Sequence, residues 1–285
     1  MPRTLAALLA LALSIPAHAT LVAVVPSRDG VAVAADSRLT FLGAQCDGAF
    51  KLIVPAQPSR TVAVVTGDAI FVAPPPSGAD PCKYMETAPR LLDMNAVVAD
   101  ALSKTGPNPA RISMAEVSQA CLRAVREFDR RYPGVLKPYA GREIFSVVLV
   151  SYDAALKKAT LRNFVVRMDS TGHRAAAGRV TETTLDGKST RDIWVYGETG
   201  WMSKAVYNGA GRRFLSPATL AFLAERRPIG EVSLNEAGAV AGNIVEAASR
   251  TAEIDRPPSG IGGQVHVIAI GAQAEPQWLA WASGR

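Results

Sequence analysis

The segment Leu21-Val22-Ala23-Val24-Val25, the turn Ser27-Arg28-Asp29-Gly30 and the run Val31-Ala32-Val33-Ala34-Ala35 constrain the fold more than any other part of the chain. Both runs are dense in β-branched and small apolar residues, and a turn of that composition between them makes a hairpin. Neither run alternates polar with apolar positions. A strand that is apolar on both sides needs cover on both faces. Two further runs, Phe50 to Val54 and Thr61 to Val65, follow across a Pro-containing turn and end at Thr66-Gly67-Asp68. The four runs together are expected to form one four-strand sheet.

From Ala73 to Pro89 the chain changes character, with Pro74-Pro75-Pro76-Ser77-Gly78 and more prolines beyond. Proline forbids regular helix interiors and central strands, so residues 73–89 read as a surface insertion. Helices are expected over Met94 to Lys104 and again after Ser113, which with Glu116 forms a capping box. In the second, Met114, Val117, Cys121, Ala124 and Phe128 recur at helical spacing. Strand character returns at Ile144 to Tyr152, Ala159 to Met168, Val180 to Thr184 and Asp192 to Tyr196. Helices are expected near Trp201 to Tyr207, after Ser216 with Pro217 in the first turn, and after Ser233 with Glu236. Gln264 to Ile270 and Trp278 to Trp281 close the chain as strands. This order is not a βαβ alternation; it implies two sheets flanked by helix layers in a single domain.

The start of the chain reads as an export signal. Arg3 precedes an apolar run from Leu5 to Leu13, followed by Pro16 and Ala17-His18-Ala19, an A-x-A cleavage site. A retained N-terminal anchor is the alternative. Residues 1–19 are thus expected to be removed, leaving residues 20–285 as one domain, periplasmic or secreted. No later segment approaches the ~20 uncharged residues of a membrane helix. The 285 residues carry 48% hydrophobic and 20% charged residues, enough to bury one large core. Basic residues are scattered, in short pairs such as Arg130-Arg131, with no aromatic ladder between them, which argues against a nucleic-acid partner. Export permits a bridge between Cys46 and Cys82, and the odd count then leaves Cys121 free on a helix's apolar face. There is no C-x-x-C, and His173 and His266 stand far apart, so neither a metal nor another cofactor is expected.

Cleavage after Ala19 makes Thr20 the first residue, and its hydroxyl gains an α-amine on the same residue. That amine, with a pKa near ~8, accepts a proton at neutral pH. Nucleophile and base then sit in one amino acid. Lys51, inside the apolar run Phe50 to Val54, is costly to bury unless a carboxylate pairs with it. Asp36 ends a neighbouring strand and supplies one. Gly67, after the fourth run, exposes a backbone N–H as an oxyanion donor requires. No G-x-S-x-G is present to support a serine hydrolase.

The quoted opening, "TLVAVV…DGVAVAADSRLT…FKLIVP…TVAVVTGD", resembles the start of proteasome β-type subunits, the threonine members of the N-terminal-nucleophile hydrolases. The resemblance implies an α+β fold, a four-layer αββα sandwich of two mainly antiparallel sheets, with Thr20 as nucleophile, Asp36 and Lys51 beside it and Gly67 at the oxyanion position. Lys51 comes one residue early. Ser259-Gly260-Ile261-Gly262-Gly263 is similar to the family's late Ser-Gly-Gly loop, which makes Asp255 and Ser259 the helper residues; Gly197-Glu198-Thr199-Gly200 stands where a second helper serine is usual. The pocket for the residue before the cut bond would be walled by Leu39, Thr40, Ala49, Ile53, Val65 and Ala69, with no charge among them. The function implied is a threonine peptidase or amidohydrolase acting on short or unfolded peptides or a small amide. It implies a homo-oligomer too, with a ring as one form. A catalytically silent scaffold of the same shape is the alternative.

Overall fold

In the computed structural model, the hairpin at the head of the chain forms as β1 (Leu21–Ser27) and β2 (Gly30–Asp36), paired antiparallel with Val22 opposite Ala35. Residues 20–56, 59–104, 113–185, 193–207, 209–225, 228–257, 259–273 and 275–281 are described. The expected signal peptide, residues 1–19, lies outside them, as does Asp192, where a strand was expected to begin.

After the hairpin come β3 (Leu39–Phe41), β4 (Ala44–Cys46), β5 (Leu52–Ile53), β6 (Thr61–Gly67), β7 (Ile70–Val72), α1 (Pro81–Thr87), β8 (Arg90–Asp93), α2 (Met94–Ser103) and α3 (Met114–Arg131). The second half contains β9 (Glu143–Asp153), β10 (Lys158–Met168), β11 (Ala175–Ala177), β12 (Thr181–Leu185), β13 (Trp194–Gly197), α4 (Thr199–Val206), α5 (Pro217–Ala224), α6 (Leu234–Asp255), β14 (Val265–Gly271) and β15 (Gln277–Leu279). The chain is mixed α/β, with antiparallel sheets and six α-helices among the described residues.

The four opening strands do not share a sheet, contrary to the sequence reading. β1 and β2 lie in the order β13-β1-β2-β14-β15, whereas β5 and β6 lie in the order β11-β10-β9-β6-β5, with β12 also on β10. The division has a physical cause. Strands apolar on both faces are satisfied by stacking one sheet on another, and Val22, Val24, Val31 and Val33 pack against Leu52, Val62, Val64, Val148 and Val150. The opposite face of the first sheet, Leu21, Ala23, Val25, Ala32 and Ala34, packs with Val240, Ala241, Ile244 and Ala248 of α6. Ala63, Val65, Val147 and Leu149 of the second pack with Val98 and Leu102 of α2 and Val117, Cys121 and Val125 of α3. The capping box before α3 forms in part, with the Glu116 N–H donating to Ser113 Oγ at 3.3 Å.

The Pro-rich insertion is not free of helix as the sequence reading had it. Asp80 accepts the Lys83 N–H at 2.9 Å and caps α1, and Pro81 occupies the first helical position, where no N–H is needed. Strands β7 and β8 flank the insertion as an antiparallel pair. Cys82 in α1 is bonded to Cys46 in β4, with 5.1 Å between the Cα atoms, so the insertion is stapled to the β3–β4 hairpin. Cys121 is buried, and burial pushes its thiol up to about 12, which keeps it out of exchange with that bridge. The bridge spans 36 positions, and closing such a loop in the unfolded chain is worth about 3–4 kcal/mol. A Cys46→Ser/Cys82→Ser protein is therefore expected to unfold at clearly lower urea concentration, and an unchanged midpoint would show that the bridge contributes nothing.

Candidate active site

Asp36 organises the site. It ends β2 with no exposed surface, and its carboxylate collects donors from four residues spread along the chain. Oδ1 accepts the Leu21 N–H at 2.7 Å and Lys51 Nζ at 3.0 Å. Oδ2 accepts Lys51 Nζ at 3.1 Å, the Gly262 N–H at 3.1 Å and the Arg38 N–H at 3.3 Å. These donors fill the sites a carboxylate offers, which is how a charge survives in an apolar interior. Lys51 stands immediately before β5 and is 3% exposed. Burial pushes its ammonium below the ordinary lysine range, and the Asp36 carboxylate opposes that shift.

Thr20 is held from both sides of its backbone. The next residue, Leu21, is tied to Asp36, and the Thr20 carbonyl accepts the Glu198 N–H at 3.0 Å. That second contact explains Gly197, whose φ is +82° and where a Cβ would come within 1.7 Å of the Thr20 oxygen. Thr20 is 4% exposed, and together with Lys51 and Gly67 it lines a cavity of about 90 Å³. Gly67, at the end of β6, has φ +87°, and a Cβ there would lie 2.7 Å from the Ile144 oxygen, so only glycine fits. Four of the residue types chosen from sequence, Thr20, Asp36, Lys51 and Gly67, are thus brought to one place.

The two helper residues are not both brought there. Asp255, in the last turn of α6, bonds Lys204 Nζ at 3.2 Å and has no hydrogen bond to Thr20, Asp36 or Lys51. Ser259 is buried, but its hydroxyl donates to the Ile261 carbonyl at 2.6 Å and accepts from Arg38 Nη1 at 3.5 Å. Its loop reaches the site through backbone instead. Gly262 donates to Asp36, and its carbonyl accepts the N–H groups of Ser37 and Arg38 at 3.2 and 3.1 Å.

Arg38 is the residue that sequence reading missed. Its guanidinium bonds Asp47 at 2.7 and 3.1 Å and Glu253 at 3.0 Å, and Asp47 in particular holds it above its already high ordinary value. It clamps the 259–263 loop against the end of β2. Its place in Asp36-Ser37-Arg38 was a signal, but its partners lie 9 and 215 positions away.

Of the expected pocket wall, Leu39, Thr40, Ala49, Val65 and Ala69 line the cavity. Ile53 does not. It sits on the same face as Lys51 and Val65 but further along the strand, packed in the core with Ala63 and Val65. Phe41, Leu42, Met85, Asn95, Asp68 and Tyr139 are among the further residues that line it. The wall is therefore not free of charge. The Asp68 carboxylate accepts a hydrogen bond from the Tyr139 hydroxyl, and burial and then Asp68 push the Tyr139 ionisation well above its ordinary value. Among the described residues no group of three His, Cys, Asp or Glu side chains is arranged to hold a metal ion.

No protein-family model matches the chain, and no curated protein does. Solved structures do. Anbu (ancestral beta-subunit) from Yersinia bercovieri aligns with a TM-score of 0.45 and 12% identity over 91% of this chain and 87% of that one. An Anbu (Gly-1) mutant from Hyphomicrobium sp. strain MC1 aligns with a TM-score of 0.46 and 12% identity over 93% and 89%. The reading of the opening strands as those of a proteasome β-type subunit is corrected by these matches: the structures that the chain is similar to are Anbu proteins, proteasome-like but a distinct family.

Proposed function

We propose that this chain is an N-terminal threonine amidohydrolase that works through an acyl-enzyme, on short or unfolded peptides or a small amide. The observation that carries the reading is the buried Asp36–Lys51 pair, bonded to the backbone beside Thr20 and opening with it on one cavity. A buried ion pair costs desolvation that an apolar pair of the same size avoids. A purely structural role gives no reason to keep one at the mouth of a pocket.

Once residues 1–19 are removed, the Thr20 α-amine takes the hydroxyl proton as Oγ attacks the substrate carbonyl carbon. Lys51 stabilises the alkoxide-like oxygen by its charge, and Asp36 holds the ammonium in position. The Gly67 N–H is the donor assigned to the oxyanion. Collapse of the tetrahedral adduct breaks the C–N bond, and the leaving amine takes the proton from the Thr20 ammonium. Water, deprotonated by the same amine, then attacks the ester and releases the carboxylic acid and the free hydroxyl. No cofactor enters the cycle.

The two stacked sheets and their helices support assignment to the four-layer αββα sandwich of N-terminal-nucleophile hydrolases. Among the described residues no helix is long and apolar enough to cross a membrane. Export to the periplasm or medium and assembly with further copies of the chain complete the proposal.

The cut before Thr20 tests it. Any residue left in front turns the amine into a non-basic amide, so an alanine inserted between Ala19 and Thr20 and retained after processing is expected to abolish turnover without unfolding the protein. Intact mass of the exported wild type should begin at Thr20, and the Thr20→Ala protein should be processed equally, because signal peptidase rather than self-cleavage makes the cut. Residues 1–19 still attached to Thr20→Ala alone would mean autocatalytic cleavage, and full activity with an extra residue would refute the amine's role.

A further inference from the structure

One wall of the cavity beside Thr20 comes from outside the two stacked sheets. Val72 of β7 and Met85 of α1 form a small apolar cluster with Ala88, against which Leu39 and Phe41 of β3 and Ile70 of β7 pack, and all of these except Ala88 line the cavity. The charged members of the lining, Lys51 and Asp68, are bonded to Asp36 and to Tyr139. Helix α1 has seven residues, too few to persist without tertiary support, and Met85 is the one side chain it buries. Its position therefore depends on what ties it. Cys82 lies three positions before Met85, on the same helix face, and is bonded to Cys46, which stands opposite Leu39 in the β3–β4 pair. That hairpin is fixed to the frame around Asp36, since Asp47 holds Arg38 at 2.7 and 3.1 Å and Gln45 Nε2 donates to the Ser259 carbonyl at 2.8 Å. The bridge thus joins the two elements that supply Leu39 and Met85 to the cavity.

We propose that α1 is the wall that limits the size of the side chain this cavity accepts from the residue whose carbonyl is attacked, with Met85 as the specificity-determining residue and Cys46 and Cys82 as the positioning residues that hold it there. The proposal rests on the reading of Thr20 as nucleophile. An apolar cavity of about 150 Å³ holds a benzene ring. This one is about 90 Å³. Short apolar side chains, as in alanine or valine, are therefore favoured over the ring of phenylalanine. Met85→Ala removes most of the side chain from the wall and leaves room there, because the atoms around a truncated residue collapse only in part. Loss of the bridge has the same consequence by another route. Helix α1 is then kept in place by the Asp80 cap, the Tyr84 hydroxyl on the Pro74 carbonyl at 3.1 Å and the small cluster around Met85.

Peptide amides that differ only in that side chain, Ala or Phe, give the measurement. The wild type is expected to use the Ala substrate with the higher kcat/KM. Met85→Ala should move the Phe-to-Ala ratio of kcat/KM toward Phe by about ten-fold or more, since even one methylene in an apolar pocket decides that much. Cys46→Ser/Cys82→Ser should move the ratio in the same direction, chiefly through a lower KM for Phe; a mere loss of folded protein would lower kcat for both substrates alike. Met85→Ala added to the bridge-free protein should then move the ratio less than it does in the wild type, because both changes act on one wall. Equilibrium binding of the two peptides to Thr20→Ala, with and without Met85→Ala, separates this proposal from the mechanism. A Met85-dependent shift in binding there with no turnover by the wild type would sink the nucleophile and leave the wall standing. A wild type that prefers Phe, or a ratio that Met85→Ala leaves unchanged, would overturn the wall. A ratio that the bridge-free protein keeps, or shifts from the two changes that simply add, would overturn the positioning role of the bridge.

Discussion

Thr20→Ala is expected to lose hydrolysis by on the order of 10⁵-fold or more, the scale seen when a covalent nucleophile is removed from a hydrolase. The loss should fall on kcat, because the cavity that binds substrate stays in place. A β-lactone probe should add its full mass to the wild-type protein at Thr20 and nothing to Thr20→Ala. Thr20→Ser keeps a hydroxyl and an amine and is expected to retain part of the turnover. The fold should hardly notice the substitution, since Thr20 is fixed by its carbonyl bond to Glu198 and by the Leu21 N–H on Asp36, not by its side chain. Wild-type turnover by a purified, folded Thr20→Ala protein would end the proposed mechanism and favour the silent scaffold.

Those bonds also show what the sequence makes legible. Strands β1 and β2 were readable because every position in them except the closing Asp36 is apolar or small, and the same pattern demanded cover on both faces. Which sheet each hairpin joins was not readable, because pairing of β2 with β14 and of β6 with β9 joins residues more than 70 positions apart. Ser113, Ser216 and Ser233 marked helix starts correctly since a cap acts within three residues. Pro81 was misread as a breaker because its effect depends on its position within the turn.

The site divides along the same line. Lys51 within an apolar run called for a carboxylate, and Asp36 answers it. Asn95, Met85 and Tyr139 come to the cavity from α2, α1 and the turn after α3, and no local pattern marks them. Asp255 illustrates the opposite error. The spacing of a loop motif pointed to it, but the last turn of α6 carries its carboxylate to Lys204.

Asp36 and Lys51 are expected to fail differently when changed, and the difference separates catalysis from stability. Asp36→Ala leaves a buried ammonium without its counter-ion and removes the acceptor from the Leu21 and Gly262 N–H groups. Breaking a buried pair from one side costs about 3–5 kcal/mol, so this variant should lose both activity and much of its resistance to urea. Lys51→Met keeps the length of the side chain and leaves Asp36 with its backbone donors, so its urea midpoint should fall less while turnover drops on the order of 10³-fold, the scale of one lost electrostatic stabiliser. The Asp36→Ala/Lys51→Met double variant should be less destabilised than the two single changes summed, because it leaves no lone buried charge. The pH response has a definite sign as well. Burial holds Lys51 below the ordinary lysine value of about 10.4, so the folded protein loses this proton before the unfolded chain does. Activity that needs the cation should fall with an alkaline limb below that value, while this group's contribution to stability rises with pH across the same window, since the unfolded chain there binds more protons. A folded Lys51→Met protein with wild-type turnover and an unchanged alkaline limb would show that the cation only fills space beside Asp36.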